Sequence, residues 1–117
     1  MTTTLTAAHR QALLRALTEA HARVHDAYPE AASPVLSQGW VDRRRVLLVD
    51  VALHLAEEAV RGETLEAREL VEKLYQVLEV ARVLAPGHHL DSAAEMVLEG
   101  LSEGEPYPLR LRGFAAR

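Results

Sequence analysis

The segment from Val41 to Arg61, VDRRRVLLVDVALHLAEEAVR, constrains the fold more than any other part of the chain. Its apolar residues recur with helical spacing and do not stop at one stripe. Steps of about 100° per residue align Val41, Leu48, Val51, Ala52, Leu55 and Ala59, with Val46, Val49, Leu53, Ala56 and Val60 beside them. A helix that is apolar over more than half its circumference needs neighbours on two sides, in the middle of a bundle or in an oligomer interface.

The flanking sequence supplies those neighbours. Thr6 to Tyr28 reads as a first helix, with Thr6 as N-cap, a seam of Leu13, Leu17, Ala20, Val24 and Ala27, and Pro29 as its stop. A connector follows, in which Ser33 and Pro34 are suited to cap a short helical turn closed by Gly39. The second helix is expected from about Asp42, as N-cap, to Arg61, with Gly62 as a left-handed C-terminal residue. A third helix from about Thr64 to Ala85 carries Ala67, Leu70, Val71, Leu74, Val77, Leu78, Ala81 and Leu84, and Pro86 and Gly87 end it. The short turn before it makes the second and third helices an antiparallel hairpin. Asp91 or Ser92 caps a fourth helix, with Ala94, Val97, Leu98 and Leu101 inward, ending near Gly104. In the tail, Tyr107, Leu109 and Leu111 alternate with Pro108, Arg110 and Arg112, a period of two that predicts extended chain.

Composition agrees. Of 117 residues 49% are hydrophobic and only 4% aromatic, so the core of a single domain must be aliphatic. Asn, Ile and Cys are absent and Arg outnumbers Lys twelve to one, the signature expected of a GC-rich bacterial genome. That bias weakens the reading of Arg as a phosphate-recognition signal. Without cysteine there is no disulfide, thiol nucleophile or Cys-ligated zinc. No signal peptide and no membrane span is read, and a cytoplasmic, soluble chain is expected. A net charge of -4 argues against a general nucleic-acid surface.

Three clusters carry possible chemistry. Asp50, His54, Glu57 and Glu58 share one face of the second helix at one-turn spacings, suited to a divalent metal or an acid and base pair. The competing reading is a solvated stripe of i,i+4 ion pairs, and it is favoured, because metal sites in bundles draw ligands from facing helices. Arg61 also stands where a Glu-Glu-x-x-Glu ligand set would need its third glutamate. His21 and His25 are four apart, but end-to-end alignment of the first two helices sets them nearer Leu47 and Arg43 than His54, so the histidines are not expected to combine. Arg43, Arg44 and Arg45 fall in the first turn expected of the second helix, where the dipole disfavours cations. With Arg82, His88 and His89 from the same end of the hairpin they form a candidate anion-binding corner, against which stands simple pairing with nearby acids. No nucleophile elbow, P-loop or dinucleotide fingerprint is present in the sequence.

The expectation is therefore an all-α, four-helix bundle-like single domain over residues 1–104, built on a central antiparallel hairpin, with an extended C-terminal arm over 105–117 whose Tyr107, Leu109, Leu111 and Phe114 contact a partner. The leading functional expectation is a non-enzymatic assembly or adaptor protein, a homodimer with a protein partner, no cofactor and no membrane. Binding of an anion or divalent metal, or metal-dependent hydrolysis, is the alternative, and a nucleic-acid accessory role ranks last.

Overall fold

Four helices follow one another along the chain: α1 Ala7–Ala27, α2 Gln38–Val60, α3 Ala67–Leu84 and α4 Leu90–Glu103. The computed structural model describes residues 5–29 and 33–103, and the expected arm with Tyr107, Leu109, Leu111 and Phe114 lies outside the described residues. The domain is all-α and bundle-like, with no strand among the described residues. No helix among them is long and apolar enough to cross a membrane.

Each helix packs on its neighbour in sequence: α1 on α2, α2 on α3, α3 on α4. As its apolar circumference predicts, α2 is covered on two sides, and α1 has α2 as its one helical neighbour among the described residues. Arg10 donates to the Arg61 carbonyl at 3.3 Å and Tyr28 to Asp50 at 2.6 Å, so α1 and α2 run antiparallel. The buried apolar residues are Val24, Val51, Tyr75, Val80, Ala94 and Leu101. Tyr75, Ala94 and Leu101 form one cluster between α3 and α4, flanked by Val71, Leu78, Val97 and Leu98.

This core corrects the expected seam of α3. Leu74 is exposed while Tyr75, Gln76 and Val80 are buried, because α3 is covered by α2 on one side and α4 on the other, not along one stripe. The aliphatic expectation also misses Tyr75, whose ring fills the cluster while its hydroxyl donates to Glu79 at 2.8 Å. Burial and that carboxylate raise the Tyr75 pKa to about 12, so the hydroxyl remains a donor.

The helix starts also differ from expectation. Thr6 caps α1 as its sequence predicts, its hydroxyl accepting from the His9 amide at 3.0 Å. In α2 the cap is Ser37, which accepts from the Trp40 amide at 3.3 Å, so the helix begins one turn before Asp42. Ser33 and Pro34 lead into a turn closed by the Ser37 amide on the Pro34 carbonyl, and Gly39 lies inside the helix rather than ending a turn. A Cβ at Gly39 would overlap the Ser33 side chain, which must shift to admit one. Asp42 instead accepts from Gln38 within the helix, at 2.8 Å. Gly62 is not left-handed. That conformation falls on Gly87 (φ 85) and His89 (φ 62) in the α3–α4 turn, and α4 starts at Leu90, with Asp91 in its first turn where the dipole favours an anion.

Replacing Ser37 by Ala removes the side chain that accepts from the Trp40 amide at the α2 start and is expected to cost about 1 kcal/mol in urea unfolding. Asp42→Ala, which loses only exposed contacts, is expected to cost a few tenths. The reverse order would place the cap at Asp42.

Candidate functional site

The polar stripe of α2 faces α1. Asp50, His54 and Glu57 lie one turn apart on α2, and α1 sets His21 against them from across the interface. The Nε2 of His21 is 2.6 Å from Asp50 Oδ1 and its Nδ1 is 3.3 Å from Glu57 Oε2. His54 Nε2 approaches the same Asp50 oxygen at 3.7 Å, and the two imidazoles meet edge to face with centroids 4.5 Å apart. Tyr28, at the end of α1, donates its hydroxyl to the second Asp50 oxygen at 2.6 Å. The group is half-buried: side-chain exposure is 28% at His21, 21% at Asp50 and 19% at Glu57.

The expected separation of the histidines is thus overturned for His21. End-to-end alignment fails because the end of α1 is not level with the start of α2: Tyr28 stands opposite Asp50, about three turns into α2, and His21 opposite His54 and Glu57. His25 is exposed and borders a cleft together with Tyr28, Arg43, Leu47 and Asp50. Glu58 does not join the group: it is buried on another side of α2, 3.6 Å from Arg61.

Charge inside the cluster follows from these distances. With a carboxylate oxygen opposite each ring nitrogen, His21 when protonated donates to both. Burial opposes its charge, but the hydrogen bonds and charges of Asp50 and Glu57 outweigh burial and hold its pKa above the ordinary histidine value. Burial likewise opposes ionisation of Asp50, yet donation from Tyr28 and His21 and the adjacent imidazoles keep its carboxyl below the usual carboxylate range. His54 is pushed down, first by burial and then by the charge on His21. Tyr28 is pushed up by burial and by Asp50, so it keeps its proton. Of the two rings, His21 is therefore the one that binds a proton more readily.

As a ligand set, one donor atom each from His21, His54 and Glu57 lie within 4.8 Å of one another. Tetrahedral metal bonds of about 2.0–2.2 Å set donors about 3.3–3.6 Å apart, so the three draw together by up to about 1.3 Å to close around an ion. Asp50 and Tyr28 stand behind His21, where they orient the ring.

The expected anion corner is divided. Arg43 lies over the Tyr28 ring at 5.3 Å and donates to the Pro29 carbonyl, and Arg44 lies over Trp40 at 4.7 Å. Arg45 pairs with Asp42 at 3.4 Å, Arg82 pairs with Glu79 on its own helix, and His88 and His89 are exposed in the α3–α4 turn. Arg43 and Arg44 instead border a cleft of about 520 Å³ with Tyr28, Trp40, Leu47 and Asp50. Because α2 begins at Gln38, the arginines sit beyond its first turn, and the dipole conflict read from the sequence does not arise. Tyr28 and Trp40 are the functional candidates that sequence reasoning passed over. The available signal was Trp40 itself, the only tryptophan of the chain, four residues before Arg44 on one helical face.

The metal-free cluster has a defined pH signature. His21, with a raised pKa, contributes stability in full below pH 6.5 and loses it as pH rises through its folded value, whereas His54, with a lowered pKa, costs stability below pH 6.5. Asp50 keeps its contribution above 3.8 and loses it only as pH falls through its lowered folded value. Urea midpoints of the chelator-treated protein are therefore expected to exceed those of His21→Gln most below pH 6.5, the difference shrinking as pH rises through the folded His21 value. A constant difference would mean that His21 holds no extra proton. Comparison with family models, with curated proteins and with solved structures gives no match.

Proposed function

We propose that the protein binds a borderline divalent first-row metal, such as Zn2+, between α1 and α2. The observation that carries this reading is the His21 ring, brought from a facing helix to within 3.3 Å of Glu57 on one nitrogen and 2.6 Å of Asp50 on the other. His21 ligates through Nδ1 while its Nε2–H donates to Asp50, the arrangement in which a carboxylate fixes the orientation and basicity of a metal-bound imidazole. His54 and Glu57 complete two nitrogens and one oxygen, a donor set suited to such ions. Three protein ligands leave a coordination position for water or for a ligand atom. The metal replaces the proton that His21 holds between the carboxylates, so affinity increases with pH through the His21 pKa.

Calorimetry with Zn2+ and visible absorption with Co2+ are expected to give one ion per chain. His21→Ala and His54→Ala each weaken binding more than about tenfold, and Asp50→Asn weakens it about 10- to 100-fold although Asp50 is not a ligand. His25→Ala leaves binding unchanged. Absence of a bound ion, or equal sensitivity to His25 and His21, sinks the proposal.

A second reading, assembly through a second copy of the chain, is supported by apolar side chains that the helical row leaves uncovered: Val49, Leu74 and Met96, the last 71% exposed. Light scattering at micromolar concentration is expected to give twice the chain mass, with Val49→Glu or Met96→Glu restoring the single-chain mass. A single-chain mass for the unmodified protein removes this reading.

A further inference from the structure

We infer that the cleft between the end of α1 and the first half of α2 is a second binding site, for a small organic oxyanion with a flat apolar body. Its volume, about 520 Å³, lies in the range of about 300–1,000 Å³ usual for small-molecule sites. Two guanidiniums border it, each set over an aromatic ring: Arg43 over Tyr28 and Arg44 over Trp40. Stacking in this way holds an arginine in place without using all its N–H donors. Arg43 spends one donor on the Pro29 carbonyl. The Nε–H of Arg44 is shielded from solvent and meets no acceptor among the described residues.

Charge gives the ligand its sign. The acid bordering the cleft is Asp50, and its charge is already matched by His21 and by the Tyr28 hydroxyl. Arg45, the third arginine of the run, is turned to Asp42 and takes no part. The cleft therefore holds two cations without a free anion, and their forked donors fit the oxygens of a phosphate monoester or carboxylate. Leu47 and the two rings form an apolar wall that bare inorganic phosphate leaves unused. The site needs no metal, and the proposal stands independently of one.

Trp40 is the only tryptophan, so its fluorescence reports on this cleft alone. Titration with phenyl phosphate at low salt in the presence of EDTA is expected to change the emission saturably, at least about tenfold more tightly than inorganic phosphate, with phenol inactive at the same concentrations. Arg43→Gln and Arg44→Gln each weaken binding about tenfold or more, whereas Arg82→Gln leaves it unchanged. Circular dichroism establishes that the variants are folded. Should a glutamine variant unfold, the lysine variant at the same position keeps the charge without the fork and is expected to bind more weakly. The proposal is overturned if phenyl phosphate produces neither a saturable emission change nor heat in calorimetry, or if a folded Arg43→Gln, Arg44→Gln double variant binds as tightly as the unmodified protein. Equal affinity for inorganic phosphate overturns the assignment of an organic ligand.

Discussion

Pairing of His21 with the polar stripe of α2 is the interaction on which the first half of the molecule depends. Because the helices pack as a row, α1 has α2 as its one helical neighbour among the described residues, and Val24 is its one buried residue. Beside the half-buried Leu14, Leu17 and Ala20, the attachment is made by polar contacts: His21 to Asp50 and Glu57, Tyr28 to Asp50, Arg43 to Pro29 and Arg10 to the end of α2. Such bonds are directional where apolar packing is tolerant, so they also set the register of α1 along α2. The second half is held differently, by apolar contacts of Tyr75, Ala94 and Leu101 between α3 and α4.

Asp50 is the hub of that polar interface. One of its oxygens faces both histidines and the other takes the Tyr28 hydroxyl, and Tyr28 in turn carries Arg43 over its ring. A half-buried carboxylate is tolerable here because it is saturated with donors and faces a protonated imidazole. The shifts at His21 and His54 run in opposite directions because two carboxylates hold the proton on His21, whereas His54 is lowered first by burial and then by the charge of the neighbouring ring. Metal binding and oxyanion binding, as proposed, meet at the same carboxylate. A change in the charge facing one Asp50 oxygen would therefore be felt at the tyrosine and arginine that border the cleft.

The row of helices also explains the distribution of burial. A closed four-helix bundle covers every helix on two sides, whereas here α1 and α4 are ends. Leu13 on α1 and Met96 on α4 remain exposed for that reason, and so do parts of the apolar seams read along α1 and α3. The apolar pattern of each helix identifies what is able to be buried. Which part is buried depends on how many neighbours the helix acquires.

Much of the fold was legible in the chain. The four helices, the Thr6 cap, the Pro29 stop and the two-sided cover of α2 follow from spacing, cap chemistry and apolar circumference, all local properties of a few consecutive residues. Of the site, Asp50, His54 and Glu57 were visible as one face, because i,i+4 spacing is also local. Glu58, grouped with them by sequence, is removed by a 100° step along the helix that carries it away from α1, a reminder that adjacent residues do not share a face. The partnership with His21 was not legible, since it turns on the register between two helices. That register is fixed by contacts between distant residues, which set Tyr28 opposite Asp50 instead of opposite the start of α2. Sequence alone determined an all-α chain with a polar stripe on its central helix; the tertiary structure decided that the stripe faces a second helix instead of water, because antiparallel packing sets residues far apart in the chain within hydrogen-bond reach.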